Sequence, residues 1–318
     1  MSRHRLVPTL AVLVALLTMV GAAPNAAAES VEQMIVFGDS LSDSGNHFIA
    51  FKQVSTRPFA PEPEASYLIG GFHFSNGPTW VEQLAHKLGI PESGAPALLH
   101  PGHFTNYAVG RARARAEAPQ FPDFDLATQV ARFLGDFGGQ APSDAVYVIW
   151  IGSNDIGDFL ESGDEAILGA AGAAIAGSVQ SLALAGARNF LVLNVPNPAL
   201  TPLLASFPDA VKLQVQFLTQ MYNAGVGDGL VQVQAGLAQF LGIEIHIRQF
   251  DADATLTDIV ENPAKFGLTD ATNPCLAFGV VVNVVCTKPS QHLFWDGLHP
   301  TTAAHGILMK QVKKALHD

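Results

Sequence analysis

Short apolar segments alternate along the chain with longer segments of helical periodicity. Residues 34–37, 145–151 and 190–195 are almost wholly apolar, and each segment is followed directly by, or ends beside, glycine or proline. Such runs are typical of strands that are buried on both faces, as in parallel sheets. Residues 243–250 (IEIHIRQF) alternate instead, which predicts a strand with one more polar face.

Helical spacing separates these predicted strands. It is clearest in residues 126–137, 164–185 and 210–241, and in a final helix after Pro300. Strand and helix alternating in this order predict right-handed crossovers and a layered α/β domain. We find no internal repeat and no linker that would divide the chain.

The first 28 residues resemble a secretory signal peptide. Arg3 and Arg5 precede an apolar run at residues 6–20, and three alanines at residues 26–28 form a small-residue cleavage site. The alternative is an uncleaved membrane anchor, but the run is short for a bilayer span and contains Pro8. We expect residues 1–28 to be removed, residues 29–318 to form one exported domain, and no later segment to span a bilayer.

Composition narrows the class of protein further. Hydrophobic residues make up 48% of the 318 residues and charged residues 14%, which argues against long disordered segments. The formal net charge is −11, and cleavage of the signal would leave 15 basic against 28 acidic residues, a net charge of −13. Such an acidic chain is a poor partner for nucleic acid.

The chain has two cysteines, Cys275 and Cys286, on either side of an apolar run that contains Gly279 and Asn283. In an exported protein we expect them to form one disulfide that closes a local hairpin or loop. The alternative is a pair of buried thiols. Two cysteines without nearby paired histidines cannot complete a tetrahedral zinc site.

Polar residues stand where predicted strands end and helices begin, which is where open α/β sheets bind ligands. Ser40 follows the first strand, Asn154 follows the second predicted strand, and Asp296 and His299 precede the last helix. A serine nucleophile needs a base, a group that orients the base, and donors for the oxyanion. Ser40, His299 and Asp296 fit the first three roles, and Asn154 with the amides of Ser40 and near Gly110 fits the fourth. Singly, such residues are more often helix caps or turn residues.

Four segments together resemble the ordered blocks of the GDSL, or SGNH, hydrolases, above all the secreted bacterial lipases and esterases with phospholipase- and haemolysin-like members. They are FGDSLSDSGN (residues 37–46), NYAVG (106–110), IGSNDI (151–156) and FWDGLHPT (294–301). The resemblance implies a three-layer α/β/α sandwich with a mostly parallel, flavodoxin-like central sheet.

The resemblance also assigns roles residue by residue. It implies that Ser40 is the nucleophile and an oxyanion donor through its amide, that Gly110 and Asn154 are further donors, and that His299 with Asp296 forms the base and its orienter. Many relatives have a second glycine where this chain has Arg111. If the family donor is at that second position, the donor here is the Arg111 amide.

Other candidate residues have a structural alternative. Arg111, Arg113 and Arg115 form a dense basic cluster that can attract a phosphate or an anionic surface, or can pair with surface acids such as Glu117. Phe48, Phe51, Phe72 and Phe74 can line an acyl pocket or belong to the core; Asp251 and Asp253 can bind calcium or cap a helix; and His292 is the rival of His299 as base.

These patterns predict a secreted serine hydrolase that cleaves carboxylic esters through an acyl-enzyme on Ser40. A phospholipase or acyltransferase with the same residues is one alternative. A non-catalytic lipid- or glycan-binding protein on the same scaffold is the other. We expect an ester substrate, no cofactor, no metal and no nucleic acid, and transient contact with a lipid surface is left open.

Overall fold

A four-stranded parallel sheet forms the centre of the protein. The computed structural model describes residues 31–51, 72–116, 124–277 and 284–317. The strands lie in the order β1-β2-β3-β4, and every pairing is parallel. Their bounds are Met34–Gly38 (β1), Val146–Trp150 (β2), Asn189–Leu193 (β3) and His246–Phe250 (β4).

Burial follows the hydrophobic pattern of each strand. Every residue of β1 is buried, and so are all but the first residues of β2 and β3, whereas β4 is largely exposed. β4 is therefore the edge strand that its alternating sequence indicates. Residues 105–109 run beside the other edge of β1, where the Tyr107 amide donates to the carbonyl of Val36 at 2.7 Å. If this short segment is counted as a strand, it lies next to β1 on the side away from β2. The order of strands across the sheet is then that of a flavodoxin-like fold.

Helices cover both faces of the sheet. On one face Phe133, Ile175 and Leu230 belong to a core cluster that also contains Tyr147 of β2, and on the other face Trp80 and Val312 pack with Val148. The predicted three-layer α/β/α architecture is therefore confirmed. The helices are Asn46–Ala50 (α1), Trp80–Leu88 (α2), Leu126–Asp136 (α3), Ser153–Ser162 (α4), Ala166–Ala185 (α5), Asp209–Gly236 (α6), Ala252–Glu261 (α7) and Thr302–His317 (α8).

Smaller elements connect the sheet to the last helix. β5 (Asp270–Pro274) pairs with β8 (His292–Phe294) in parallel, and β6 (Leu276–Ala277) pairs with β7 (Val284–Val285) as an antiparallel hairpin. The predicted disulfide between Cys275 and Cys286 is present across this hairpin. Short helical turns lie at Pro91–Ser93, Pro198–Leu200, Pro202–Leu204, Leu237–Leu241, Pro263–Phe266 and Pro289–Gln291.

α5 bears on the expectation that no later segment spans a bilayer. Among the described residues it is the one helix long and apolar enough, by length and composition, to cross a membrane. Its buried residues Ile175, Val179 and Leu182 pack in the core cluster against the sheet, so one face of α5 belongs to the core. The expected signal peptide, residues 1–28, lies outside the described residues, and the described residues belong to a compact unit, Val31–Asp318.

Candidate active site

The turn after β1 carries Ser40. β1 ends at Gly38, whose amide and carbonyl are both bonded to the side chain of Gln129, at 2.9 and 2.8 Å. A Cβ at Gly38 would lie 2.5 Å from the carbonyl oxygen of Trp150, so the close approach of β1 to β2 requires glycine. The carbonyl of Asp39 then accepts the amide of Ser42 at 3.1 Å. The result is a tight turn that presents Ser40 beyond the strand end.

The loop before α8 carries Asp296 and His299. The Asp296 Oδ1 atom accepts the amides of Leu298 and His299 at 2.8 and 2.7 Å, and the Trp295 amide donates to the His299 carbonyl at 2.7 Å. These bonds hold the loop so that both side chains face the same way. Asp296 is fully buried, and the His299 side chain is 8% exposed.

Ser40, His299 and Asp296 meet in one linear arrangement. The His299 Nε2 atom lies 2.9 Å from Ser40 Oγ, and its Nδ1 atom lies 2.8 Å from Asp296 Oδ2. Burial lowers the pKa of His299, but the charge and hydrogen bond of Asp296 outweigh it, so that the pKa lies above its usual value. An imidazole in this setting can accept the hydroxyl proton and hold it while a carboxylate stabilises the positive charge.

Asp39 is a second carboxyl beside this arrangement, and sequence reasoning missed it. It is 1% exposed, its Oδ1 accepts the Leu41 amide at 3.0 Å, and it interacts electrostatically with His299. Burial raises the pKa of Asp39 to about 7. Its position immediately before Ser40 was the signal in the sequence that it could influence the site. A sequence motif does not reveal, however, that a carboxylate is buried.

Asn154 lies at the start of α4, after β2. Gly152 at the helix entry has a φ of 124°, a conformation that favours glycine. One hydrogen of the Asn154 amide donates to the Ala112 carbonyl at 2.9 Å, and the residue lines the cleft beside Ser40. Since a side-chain amide has two N–H donors, this bond orients Asn154 and leaves a second donor in the group.

Asp43 organises the loop between β1 and α1. Its carboxylate accepts the main-chain amides of Gly45, Asn46, His47 and Gly110, at distances of 2.7 to 3.0 Å. The Gly110 amide is therefore directed at Asp43, which disagrees with the oxyanion role expected for it. Sequence reasoning missed this contact because the two residues are far apart in the chain.

Two asparagines connect the first and second motif segments. The Asn46 amide donates to the carbonyls of Asn106 and Ala108, and the Asn106 amide donates to the Ser42 carbonyl and to Ser44 Oγ. Both asparagines are 0% exposed. Their hydrogen bonds fix the loop that carries Ser40 against residues 106–110. Both asparagines belong to the motif segments, which was the signal in the sequence that they matter to the site.

The arginine cluster is paired within the fold. Arg113 donates to both carboxylate oxygens of Asp158, at 3.0 and 2.7 Å, and Arg115 donates to Asp158 and Asp155. Burial raises the pKa of Asp158. The hydrogen bonds and charges of Arg113 and Arg115 outweigh this effect and hold that pKa below its usual value. The acidic residues Asp155 and Asp158 of α4 are therefore partners of these arginines. Glu117, the partner expected from the sequence, lies outside the described residues. Arg113 still lines the cleft.

Arg111 lies directly after Gly110 and also lines the cleft. Its φ is 69°, in the left-handed region that favours glycine. This is the position where the resemblance led us to expect a second glycine, and the main chain there has a glycine-like conformation in spite of the larger side chain.

Other sequence candidates have structural roles. Asp251 caps α7 by accepting a main-chain amide at 2.9 Å, and Asp253 accepts the Asn197 amide at 2.8 Å. His292 lies 3.9 Å from Asp270, a long ion-pair distance. Of the four phenylalanines, Phe74 lines the cleft and packs with Phe48 and Phe72 in an apolar cluster, and Phe51 is 38% exposed.

An open cleft of about 790 Å³ contains the Ser40 and His299 side chains. A parallel α/β sheet with serine, asparagine, aspartate and histidine gathered beyond its strand ends defines an α/β protein with a serine–histidine–aspartate site.

The sequence profile of the GDSL-like Lipase/Acylhydrolase family matches residues 34–312. The chain therefore belongs to this family, and it is a carboxylic ester hydrolase. Similar proteins include an Acetylesterase of Thermothelomyces thermophilus, 29% identical over 76% of this chain and 78% of that protein. Another is the Thermolabile hemolysin of Vibrio parahaemolyticus, 26% identical over 91% of this chain and 65% of that protein.

A third similar protein is GDSL esterase/lipase 5 of Arabidopsis thaliana, 26% identical over 86% of this chain and 80% of that protein. Among solved structures, the acetylxylan esterase Axe2 of Geobacillus stearothermophilus matches 92% of this chain and 96% of its own, with 15% identity and a TM-score of 0.48.

Proposed function

We propose that the protein is a secreted esterase or lipase that works through an acyl-enzyme on Ser40. The observation that carries this proposal is the position of the His299 imidazole, within 2.9 Å of Ser40 Oγ and 2.8 Å of Asp296 Oδ2. A hydroxyl has little nucleophilicity at neutral pH without a base in hydrogen-bond reach, and His299 is such a base.

The proposed reaction has two halves. In the first, His299 Nε2 takes the Ser40 proton while Oγ attacks the ester carbonyl, and the resulting imidazolium gives the proton to the leaving alcohol. In the second, water takes the place of the alcohol, His299 accepts a proton from it, and the acid is released as Ser40 recovers its proton. Asp296 holds the imidazole in the required orientation and stabilises its charge.

We place three donors at the developing oxyanion: the Ser40 amide, the side-chain amide of Asn154 and the Arg111 amide. Asn154 and Arg111 line the cleft with Ser40. The Arg111 amide replaces Gly110 in this assignment because the Gly110 amide bonds to Asp43 at 2.7 Å. Preorganised donors of this kind supply a large share of the rate enhancement in acyl transfer.

Export remains part of the proposal. Residues 1–28 would be the cleaved signal peptide and residues 29–318 the mature domain. The disulfide between Cys275 and Cys286 supports an oxidising destination, since such bonds persist mainly outside the cytosol. An ester, of a lipid or of a smaller alcohol, is the proposed partner, with transient contact to a lipid surface.

The test is turnover of p-nitrophenyl acetate by the Ser40→Ala protein. Loss of the nucleophile should reduce kcat by about a million-fold, to the background rate. Ser153→Ala is the matched control, since Ser153 lines the same cleft but has no proposed role in catalysis. Undiminished turnover by Ser40→Ala, with melting unchanged, would remove the proposal.

A further inference from the structure

The main chain at Gly110 and Arg111 is held by hydrogen bonds on both sides of one peptide plane. The Gly110 amide donates to Asp43 Oδ2 at 2.7 Å, and the Arg111 carbonyl accepts from Arg113 Nη1 at 2.7 Å. Between these two bonds lies the plane that contains the Gly110 carbonyl and the Arg111 amide, the amide that we place at the oxyanion. The partner of the Gly110 carbonyl therefore influences where the Arg111 N–H is directed.

That partner is the imidazole of His47 in α1. Its Nδ1 atom lies 3.1 Å from the Gly110 carbonyl oxygen. Because a carbonyl oxygen can only accept a hydrogen bond, Nδ1 carries the proton in this contact. The carbonyl and the N–H of a trans peptide point in opposite directions, so the bond directs the Arg111 N–H away from His47. A carbonyl that accepts a hydrogen bond also polarises its peptide, which strengthens the N–H as a donor.

The His47 ring is itself fixed in place. His47 is 3% exposed, and its main-chain amide donates at 3.0 Å to the same Asp43 oxygen that accepts the Gly110 amide. Its ring packs edge-on against Phe74 and tilted against Phe51, with centroids 5.2 and 4.6 Å apart. A Cβ at Gly110 would lie 2.2 Å from the Phe74 ring, so the peptide also packs closely there. Donor and acceptor are therefore anchored to one carboxylate and to one aromatic ring.

The protonation state of His47 suits a neutral donor. Burial lowers the pKa of His47 to about 4, and the charge of Arg111 acts in the same direction, although the hydrogen bond to Gly110 opposes both. The imidazole is therefore neutral at physiological pH, with its single proton on Nδ1. In this state His47 supplies a hydrogen bond to the peptide and no charge to the cleft.

We propose that His47 is a positioning residue of the oxyanion hole, which aims the Arg111 amide by donating its Nδ1 proton to the Gly110 carbonyl. This inference rests on the proposed function of Ser40 and of the Arg111 amide. A misdirected donor loses its interaction with the oxyanion but does not weaken binding of the neutral ester. Loss of the His47 bond should therefore lower kcat by about ten- to a hundredfold and leave KM within about twofold.

The experiment compares His47→Leu with His47→Asn, two side chains of similar shape. Asparagine keeps an N–H donor at the δ position, where the imidazole has Nδ1, and leucine has none. Turnover of p-nitrophenyl acetate is expressed per active site, counted by end-point labelling of Ser40 with a fluorophosphonate, so that unfolded protein does not enter the rate. His47→Leu should show the loss of kcat, and His47→Asn should recover most of it. His103→Leu, at an exposed histidine, should leave kcat unchanged.

A trifluoromethyl ketone provides a second readout. The Ser40 oxygen adds to the ketone carbon and its proton passes to His299, which leaves a tetrahedral oxyanion in the site. In His47→Leu the inhibition constant of the ketone should rise by the factor by which kcat/KM falls, while the rising limb of the pH profile stays in place. Equal kcat per active site in His47→Leu and His47→Asn, or a displaced limb in His47→Leu, would overturn the proposal.

The tautomer of His47 tests the proposal in the wild-type protein, whether or not a variant folds. Nitrogen-15 NMR of the histidine rings at neutral pH distinguishes a proton on Nδ1 from one on Nε2, and the contacts with Phe51 and Phe74 assign the His47 signals. We expect the proton on Nδ1. A proton on Nε2 alone would overturn the proposal, because Nδ1 could not donate to Gly110. Failure of the wild-type protein to hydrolyse the ester or to be labelled on Ser40 would instead overturn the proposed function itself.

Discussion

The Nε2 atom of His299 lies 2.9 Å from Oγ of Ser40, although 259 positions of the chain separate the two residues. The fold makes this contact by bringing the turn after β1 and the loop before α8 to the same end of the sheet. Because Asp296 lies 2.8 Å from the Nδ1 atom of the same ring, the favoured tautomer carries its proton on Nδ1. The lone pair of Nε2 is then directed toward the serine.

Asp296→Asn should lower kcat by about ten thousand-fold, because an amide favours the wrong imidazole tautomer and cannot stabilise the imidazolium. Turnover of p-nitrophenyl acetate measures this effect. Asp270→Asn is the matched control, since Asp270 lies 3.9 Å from a different histidine, His292. A near-normal rate for Asp296→Asn would show that another group orients His299.

The pH dependence of kcat/KM should report the ionisation of His299. The base must be neutral to accept a proton, so activity is lost below its pKa and gained as pH rises through it. Because Asp296 raises that pKa in spite of burial, the rising limb should lie above 6.5, the ordinary histidine value. A limb below that value would contradict the electrostatic account.

Asp39→Asn is the variant that tests the same account. The ionised Asp39 carboxylate favours the imidazolium of His299, since opposite charges attract. Removing the charge should move the rising limb to lower pH, while asparagine keeps the oxygen that accepts the Leu41 amide. An unchanged limb, or one displaced to higher pH, would exclude this influence of Asp39.

Substitutions at Arg111 separate a main-chain role from a side-chain role. Arg111→Gly should keep turnover of neutral p-nitrophenyl acetate within about threefold, because the proposed donor is an amide and glycine accepts a φ of 69°. Arg111→Val should cost about 1–2 kcal/mol or more in unfolding free energy, since a β-branched residue is strained there, and should lower kcat. Equal rates in the two variants would argue against the Arg111 amide as a donor.

The disulfide should stabilise the region that holds the catalytic loop. Cys275 is 2% exposed and packs with Trp295, the neighbour of Asp296. Replacing both cysteines by serine should lower the free energy of unfolding by about 2–4 kcal/mol, measured by urea denaturation. Addition of a reductant should destabilise the wild-type protein and leave the double variant unchanged. Equal stability of the two oxidised proteins would refute this role.

The hydrophobic pattern predicted the buried strands because burial on both faces leaves a direct mark on sequence. β1, β2 and β3 begin and end within two residues of the predicted runs. The helix predicted over residues 210–241 extends less far, since α6 ends at Gly236 and a wider turn follows. α2 and α4 were not predicted, and α4 matters because it presents Asn154 to the cleft.

The sequence identified the residues that meet in the cleft but not their hydrogen-bond partners. The bond between Gly110 and Asp43 spans 67 positions, and no local spacing rule specifies such a contact. The burial of Asp39 was equally hidden, because it depends on the packing of the whole turn. For the same reason the sequence could not tell the four phenylalanines near the first motif apart, of which Phe74 lines the cleft.

Covalent labelling of Ser40 tests the central claim most directly. The wild-type protein is treated with a fluorophosphonate, digested, and examined by mass spectrometry, beside the Ser40→Ala and Ser153→Ala variants. The account predicts one phosphonyl adduct on the peptide that contains Ser40, with parallel loss of ester turnover, in the wild-type and Ser153→Ala proteins but not in Ser40→Ala. An unlabelled Ser40 in a protein that still hydrolyses esters, or an adduct on another serine that abolishes turnover, would contradict it.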